Sequence, residues 1–153
     1  MRLELESASE ADTRRIAGAL ASALVAGDCL ALRGELGAGK TCFVRGLAEA
    51  RGIDPARVSS PTFVLLHEHD RPNGPALVHI DAYRITGPDD AETLALDEVL
   101  ATCITAIEWP DRLSDLLPER RIDIRLDHEQ GDRRRITITA PPELADRLAH
   151  LAP

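Results

Sequence analysis

Lysine is nearly absent from this sequence: of its 18 basic residues only Lys40 is a lysine, and the rest are arginines. Those arginines are dispersed among 26 acidic residues, and a formal net charge of −8 leaves no long basic face to grip a phosphate backbone. No DNA partner is expected, and any RNA would have to be reached through another protein. The three cysteines, Cys29, Cys42 and Cys103, are odd in number and form no CxxC or Cys/His cluster, which argues against a disulfide framework or a structural zinc site and for a reducing cytoplasm. No run approaches the ~18 apolar residues of a membrane helix, and Met1 to Ser9, carrying Glu4 and Glu6 and no apolar run, is not expected to be a signal peptide. Repeats, low-complexity segments and interdomain linkers are also missing. At 153 residues the chain is expected to be one α/β domain, spanning 1–153.

The one lysine stands where its chemistry matters. Gly34-Glu35-Leu36-Gly37-Ala38-Gly39-Lys40-Thr41 satisfies G-x-x-x-x-G-K-[ST], after an apolar run at Cys29 to Arg33 and before Phe43, Val44, Leu47 and Ala48, which share one helical face. Strand, glycine-rich loop and helix form a phosphate-binding P-loop. Its glycines let backbone N–H groups converge on phosphates at a helix N-terminus, and Thr41 can offer its hydroxyl to Mg²⁺. An ammonium on a flexible stem nestles between terminal phosphates where a planar guanidinium cannot.

The remaining pattern predicts helix over 10–26, from a cap at Ser9 to a stop at Gly27, and over 40–51. Phe63 to Leu66 and Ala76 to Asp81 flank a turn at Pro72-Asn73-Gly74-Pro75, the signature of an antiparallel hairpin. Helix in one or two pieces is predicted over 88–101, then a buried strand at Cys103 to Ile107 ended by Trp109-Pro110. Ile122, Ile124 and Leu126 alternate, as do Ile136 and Ile138, giving two strands around a Gly131 turn, and a short helix follows from about Pro142.

A magnesium-nucleotide site needs carboxylates at strand ends. Asp81 closes the run Leu77 to Ile80, and Glu108 closes Cys103 to Ile107, where it could complete the metal shell or orient an attacking water. Thr62 lies where a switch segment could sense a γ-phosphate. Arg84 admits either charge stabilisation or a structural ion pair, and Trp109 either nucleotide stacking or strand-end packing. For His67, His69 and His79, the alternation favours two-sided strand positions over a metal site.

GELGAGKT at 34–41, SPTF at 60–63, HIDAYR at 79–84 and IEWPDRL at 107–113 together resemble the TsaE (YjeE) family, the bacterial ATPase of tRNA threonylcarbamoyladenosine synthesis. The likeness runs over nearly the whole chain. It implies a P-loop NTPase-type three-layer domain with a mixed parallel and antiparallel sheet, bound ATP or ADP with Mg²⁺, weak ATPase activity, and association with a TsaB–TsaD pair that carries the tRNA. By matching motifs, Leu36, Gly37, Ala38, Gly39, Lys40 and Thr41 would hold phosphates, with Glu10 and Arg133 near the nucleotide. Thr41 and Glu108 would hold the metal, while Lys40, Glu108, Asp81 and the switch threonine Thr62 would form the catalytic set. Glu35-Leu36, where Asp-Leu is common, and Cys42, where Thr is usual, are mild departures. A small-molecule kinase and a nucleotide-gated binding module remain the rival readings; a GTPase is disfavoured because no N-K-x-D motif is present.

Overall fold

Four strands in the middle of the chain's sheet are parallel: β2 (Cys29–Arg33), β4 (Leu77–Asp81) and β5 (Ile104–Glu108), which are mostly apolar, and β6 (Ile122–His128), in which buried Ile122, Ile124 and Leu126 alternate with polar residues. The structure is a computed structural model, and it describes residues 1–59, 66–87, 89–90 and 95–152. β4 and β5 are buried at every position, as strands covered by helices on both faces must be. Antiparallel strands extend the sheet at both sides: β3 (Leu66–His69) beside β4, and β7 (Arg134–Thr139) then β1 (Arg2–Ser7) beyond β6. The order is β1-β7-β6-β2-β5-β4-β3 among the described residues. This is a three-layer α/β architecture with a mixed sheet, as the family resemblance implies.

One face packs against α1 (Glu10–Ala21), α2 (Lys40–Ala50) and the C-terminal α4 (Pro142–Leu148); the other packs against α3 (Leu96–Thr102) and a 3-10 segment at Pro110–Leu116. Phe43, Val44, Leu47 and Ala48 have no exposed surface, so the predicted apolar face of α2 lies on the sheet. Each fully buried large side chain there contributes roughly 1.5–3 kcal/mol. The crossing of α1 over α2 is close enough that a Cβ on Gly46 would stand 2.5 Å from the carbonyl oxygen of Arg14 and 2.8 Å from Cβ of Ala17. That contact carries Glu10, at the first turn of α1, to the start of α2.

Several boundaries differ from the sequence expectation. Helix α1 stops at Ala21 rather than 26, because Asp28 accepts from Val25 N–H at 2.9 Å and pulls the connection into turns, while Gly27 (φ +87°) donates to the carbonyl of Cys103. Asp28 is itself buried and accepts two 2.9 Å hydrogen bonds from Arg147, tying α4 to the start of β2. Strand β1 was not anticipated. Leu3 and Leu5 alternate with Arg2, Glu4 and Glu6 too briefly to announce a strand, and it is the ladder with β7, Leu3 facing Ile138 and Leu5 facing Ile136, that holds it. The predicted hairpin is present as β3 and β4, with His67 facing His79, but β3 runs on to His69, past the expected strand end at Leu66. Its residues 63–65, and residues 88 and 91–94 of the helix expected at 88–101, lie outside the described residues.

Candidate functional site

From the end of β2 the chain turns through Gly34 to Gly39 and enters α2 at Lys40. Gly37 (φ +80°) and Gly39 (φ +105°) adopt left-handed backbone that other residues rarely take, which aims the loop's amides inward at the N-terminus of α2. The Lys40 ammonium folds back over this loop, donating to the carbonyl oxygens of Gly34 at 2.6 Å and Glu35 at 2.9 Å. Its Nζ also stands 4.4 Å from the centroid of the Trp109 ring.

Strand alternation brings the acids to the same place. Leu77 and Ile104, Ala106 belong to the core under α1 and α2, whereas Val78, Ile80 and Ile107 belong to the opposite core. With period two, His79 and Asp81 on β4, and Glu108 on β5, therefore face α2. Asp81 and Glu108 are register partners on adjacent parallel strands. Glu108 Oε1 accepts from Thr41 Oγ1 at 2.8 Å and pairs with His79 Nε2 at 2.9 Å. Asp81 Oδ1 accepts from the Tyr83 amide at 3.0 Å, and the Tyr83 and Trp109 rings meet at a tilt of 55° with 5.0 Å between centroids. Trp109 occupies the left-handed region (φ 56°, ψ 50°), a conformation that costs a non-glycine residue about 1–3 kcal/mol and here swings the indole over Lys40.

These groups surround a cavity of about 440 Å³. Of the residues singled out from the sequence, Glu10, Leu36, Gly37, Gly39, Lys40, Thr41, Asp81 and Glu108 all line it, while Ala38 is buried behind the loop. Thr62 lies outside the described residues. Arg133 lines a neighbouring cavity with Glu6, Ser7 and Glu129; its successor Arg134 is the arginine beside the P-loop, with Nε 3.6 Å from where a Cβ on Gly39 would stand. Tyr83, Arg84, Arg45 and Trp109 also line the P-loop cavity. Tyr83 and Arg45 went unnoticed in the sequence, where nothing but the adjacency of Tyr83 to Asp81 pointed to them. By its alternation His79 is only a strand residue, and its contact with Glu108 is invisible without the pairing of β4 with β5.

Burial lowers the pKa of Lys40, opposed by the nearby charges of Glu108, Asp81 and Glu35. The cavity fits a phosphate chain and a hard cation on two observations. A Cβ on Gly37 would meet nothing within 4 Å, so no protein atom fills the space beside the loop at that residue. The oxygen donors gathered there, the Thr41 hydroxyl and the carboxylates of Asp81 and Glu108, are the set that Mg²⁺ prefers.

A family model described as "Threonylcarbamoyl adenosine biosynthesis protein TsaE" matches residues 7–136. The chain belongs to the TsaE family. It is 43% identical over 132 residues to a tRNA threonylcarbamoyladenosine biosynthesis protein TsaE of Streptomyces coelicolor, covering 82% of this chain and 88% of that one. The Bacillus subtilis TsaE is 37% identical over 140 residues, covering 91% and 86%. Among solved structures, YdiB of Bacillus subtilis superposes with a TM-score of 0.80 at 30% identity, covering 99% of this chain and 94% of the other. The mixed-sheet, P-loop NTPase-like architecture is thus that of TsaE-family proteins, and the matched segment contains the loop, both strand-end acids and Arg133. No described helix is long and apolar enough to cross a membrane.

Proposed function

We propose that this chain is a Mg²⁺-dependent P-loop ATPase, acting as one domain over 1–153, that supports threonylcarbamoyladenosine modification of tRNA in the cytoplasm. It does so by binding a TsaB–TsaD complex and resetting it through ATP binding and hydrolysis; tRNA is reached only through those partners. The observation that carries the reading is the convergence of Lys40, Thr41, Asp81 and Glu108 on one cavity at the N-terminus of α2. Membership of the TsaE family supplies the process.

In this mechanism the amides of residues 36–41 and the helix N-terminus bind the phosphates of ATP. Lys40 exchanges the carbonyls of Gly34 and Glu35 for β- and γ-phosphate oxygens. The Thr41 hydroxyl and Glu108 would hold Mg²⁺, which would supply positive charge against that developing on the phosphates. Asp81, whose Oδ1 accepts from the Tyr83 amide, would orient the metal's water shell, and Glu10 lines the same cavity; Arg133, on the motif match alone, would lie near the nucleotide. Thr62, on the sequence motif alone, is the switch threonine whose γ-phosphate contact would couple hydrolysis to the partners.

The test is ATP hydrolysis by the purified chain, alone and with TsaB, TsaD and tRNA, for wild type and Lys40→Ala. A slow rate that changes with the partners and falls on the order of a hundredfold in the variant is expected. Turnover indifferent to the partners and raised only by a small-molecule acceptor would instead make the protein a kinase. If Glu108→Ala keeps both ATP binding and turnover, the role given to Glu108 fails.

A further inference from the structure

We propose that His79 is a positioning residue for Glu108, fixing the carboxylate that faces Thr41; this rests on the reading of Glu108 as a metal-holding group.

The imidazole has no exposed surface and lies one pleat below Asp81 on β4, opposite Ala106 of β5. An apolar side chain would fill that place in a core without the cost of burying a polar ring, about 1–3 kcal/mol for each unpaired polar group. His79 offsets only half of this cost. Its Nε2 meets Glu108 Oε1 at 2.9 Å, whereas Nδ1 is buried with no hydrogen-bond partner among the described residues. The arrangement assigns the proton to Nε2: an N–H donated to a carboxylate is satisfied, and a bare lone pair at Nδ1 is cheaper to bury than an unpaired N–H.

Glu108 Oε1 therefore accepts twice, from a hydroxyl on α2 and from a ring inside the sheet, at an angle set by two rigid elements. Both donors converge on the same oxygen, so the carboxylate cannot rotate without breaking one of them, and among the described residues no hydrogen bond engages Oε2. Thr41, which donates its proton to Glu108, keeps its oxygen lone pairs for a cation. The ring thus does for a carboxylate ligand what outer hydrogen bonds do at metal centres generally, where loss of such a partner weakens metal binding or activity by about 10–100-fold. His79 does not line the cavity.

The experiment measures Mg²⁺ binding to the ADP-bound full chain by calorimetry, for wild type, His79→Met, His79→Gln and Glu108→Gln, with thermal unfolding of each. His79→Met, similar in reach but without a donor, is expected to weaken Mg²⁺ binding about tenfold. His79→Gln, whose amide nitrogen can take the place of Nε2, should stay close to wild type. Combined with Glu108→Gln, His79→Met should add nothing, because it acts through that carboxylate. Wild-type affinity in His79→Met alongside loss in Glu108→Gln overturns the inference alone. Wild-type affinity in Glu108→Gln overturns the metal-holding role of Glu108 and the inference with it. A measurement without substitution stands beside these: nitrogen NMR of the wild-type imidazole should show a proton on Nε2, and a bare Nε2 with the proton on Nδ1 alone overturns the proposal even if His79→Met does not fold.

Discussion

The ammonium of Lys40 sits 4.4 Å from the centre of the Trp109 ring while it donates to the carbonyls of Gly34 and Glu35. The chain's single lysine thus rests on its single tryptophan, on the wall of the P-loop cavity. A phosphate chain offers that ammonium stronger, charged acceptors than two peptide oxygens, so ligand binding should draw it off the indole.

Intrinsic fluorescence reports this directly, because no other tryptophan contributes. Adding Mg·ATP should change Trp109 emission in the wild type. In Lys40→Ala the response should be lost at matched concentrations, with affinity down about 10–100-fold, the worth of one or two charge-assisted hydrogen bonds. An unchanged titration in the variant would mean that Lys40 takes no part in binding and that its contact with Trp109 is packing alone.

How far the site was legible follows from what each residue depends on. Gly34 to Thr41 is contiguous and its chemistry is local, so strand, loop and helix could be read directly, and Asp81 and Glu108 could be found as acids closing apolar runs. Their juxtaposition needs the parallel pairing of β4 with β5, which no short-range pattern encodes. The same is true of His79, whose partner is twenty-nine residues away. Trp109 could be located but not oriented, since its left-handed backbone is imposed by the surrounding fold rather than by a residue that favours it. Strand β1 was missed for a related reason: two alternating leucines acquire meaning only against Ile136 and Ile138.

Gly46 links the packing of the helices to the site. Replacing it with alanine would put a methyl group 2.5 Å from the Arg14 carbonyl oxygen, 2.7 Å from Arg14 Cα and 2.8 Å from Ala17 Cβ. Backbone atoms cannot swing aside as a side chain can, so α1 must move, at a cost of about 1–3 kcal/mol. For a chain of this size that lowers Tm by roughly 2–4 °C per kcal/mol. The shift also carries Glu10, whose carbonyl accepts from Cys42 Sγ at 3.6 Å, away from the cavity. Gly18 in the same helix pair is the control: its added Cβ would meet Ala50 Cβ at an ordinary 3.5 Å, so Gly18→Ala should stabilise by about 0.5–1 kcal/mol through helix propensity. Equal melting of the two variants would refute the close-contact account of the α1–α2 crossing.

Cys29 opens β2 with 1% of its surface exposed, and burial pushes its thiol from 9.0 up to about 12. A raised acid pKa means that the folded state holds the proton more firmly. The group's contribution to stability is complete below pH 9, where folded and unfolded thiols are both protonated, and drains away as the pH climbs toward 12 and only the unfolded chain ionises. At pH 8 the same protonation makes Cys29 a poor nucleophile, since the thiolate is the reactive species. Burial raises the pKa of Cys42 as well, whereas Cys103 is partly exposed. Labelling of the native chain with a thiol-specific disulfide reagent at pH 8 should therefore modify Cys103 first, and Cys29 only once denaturant opens the sheet. If Cys29 instead reacts at the rate of Cys103 in native buffer, the junction of β2 with β5 must open far more often than the core, and with it the strand that leads into the P-loop.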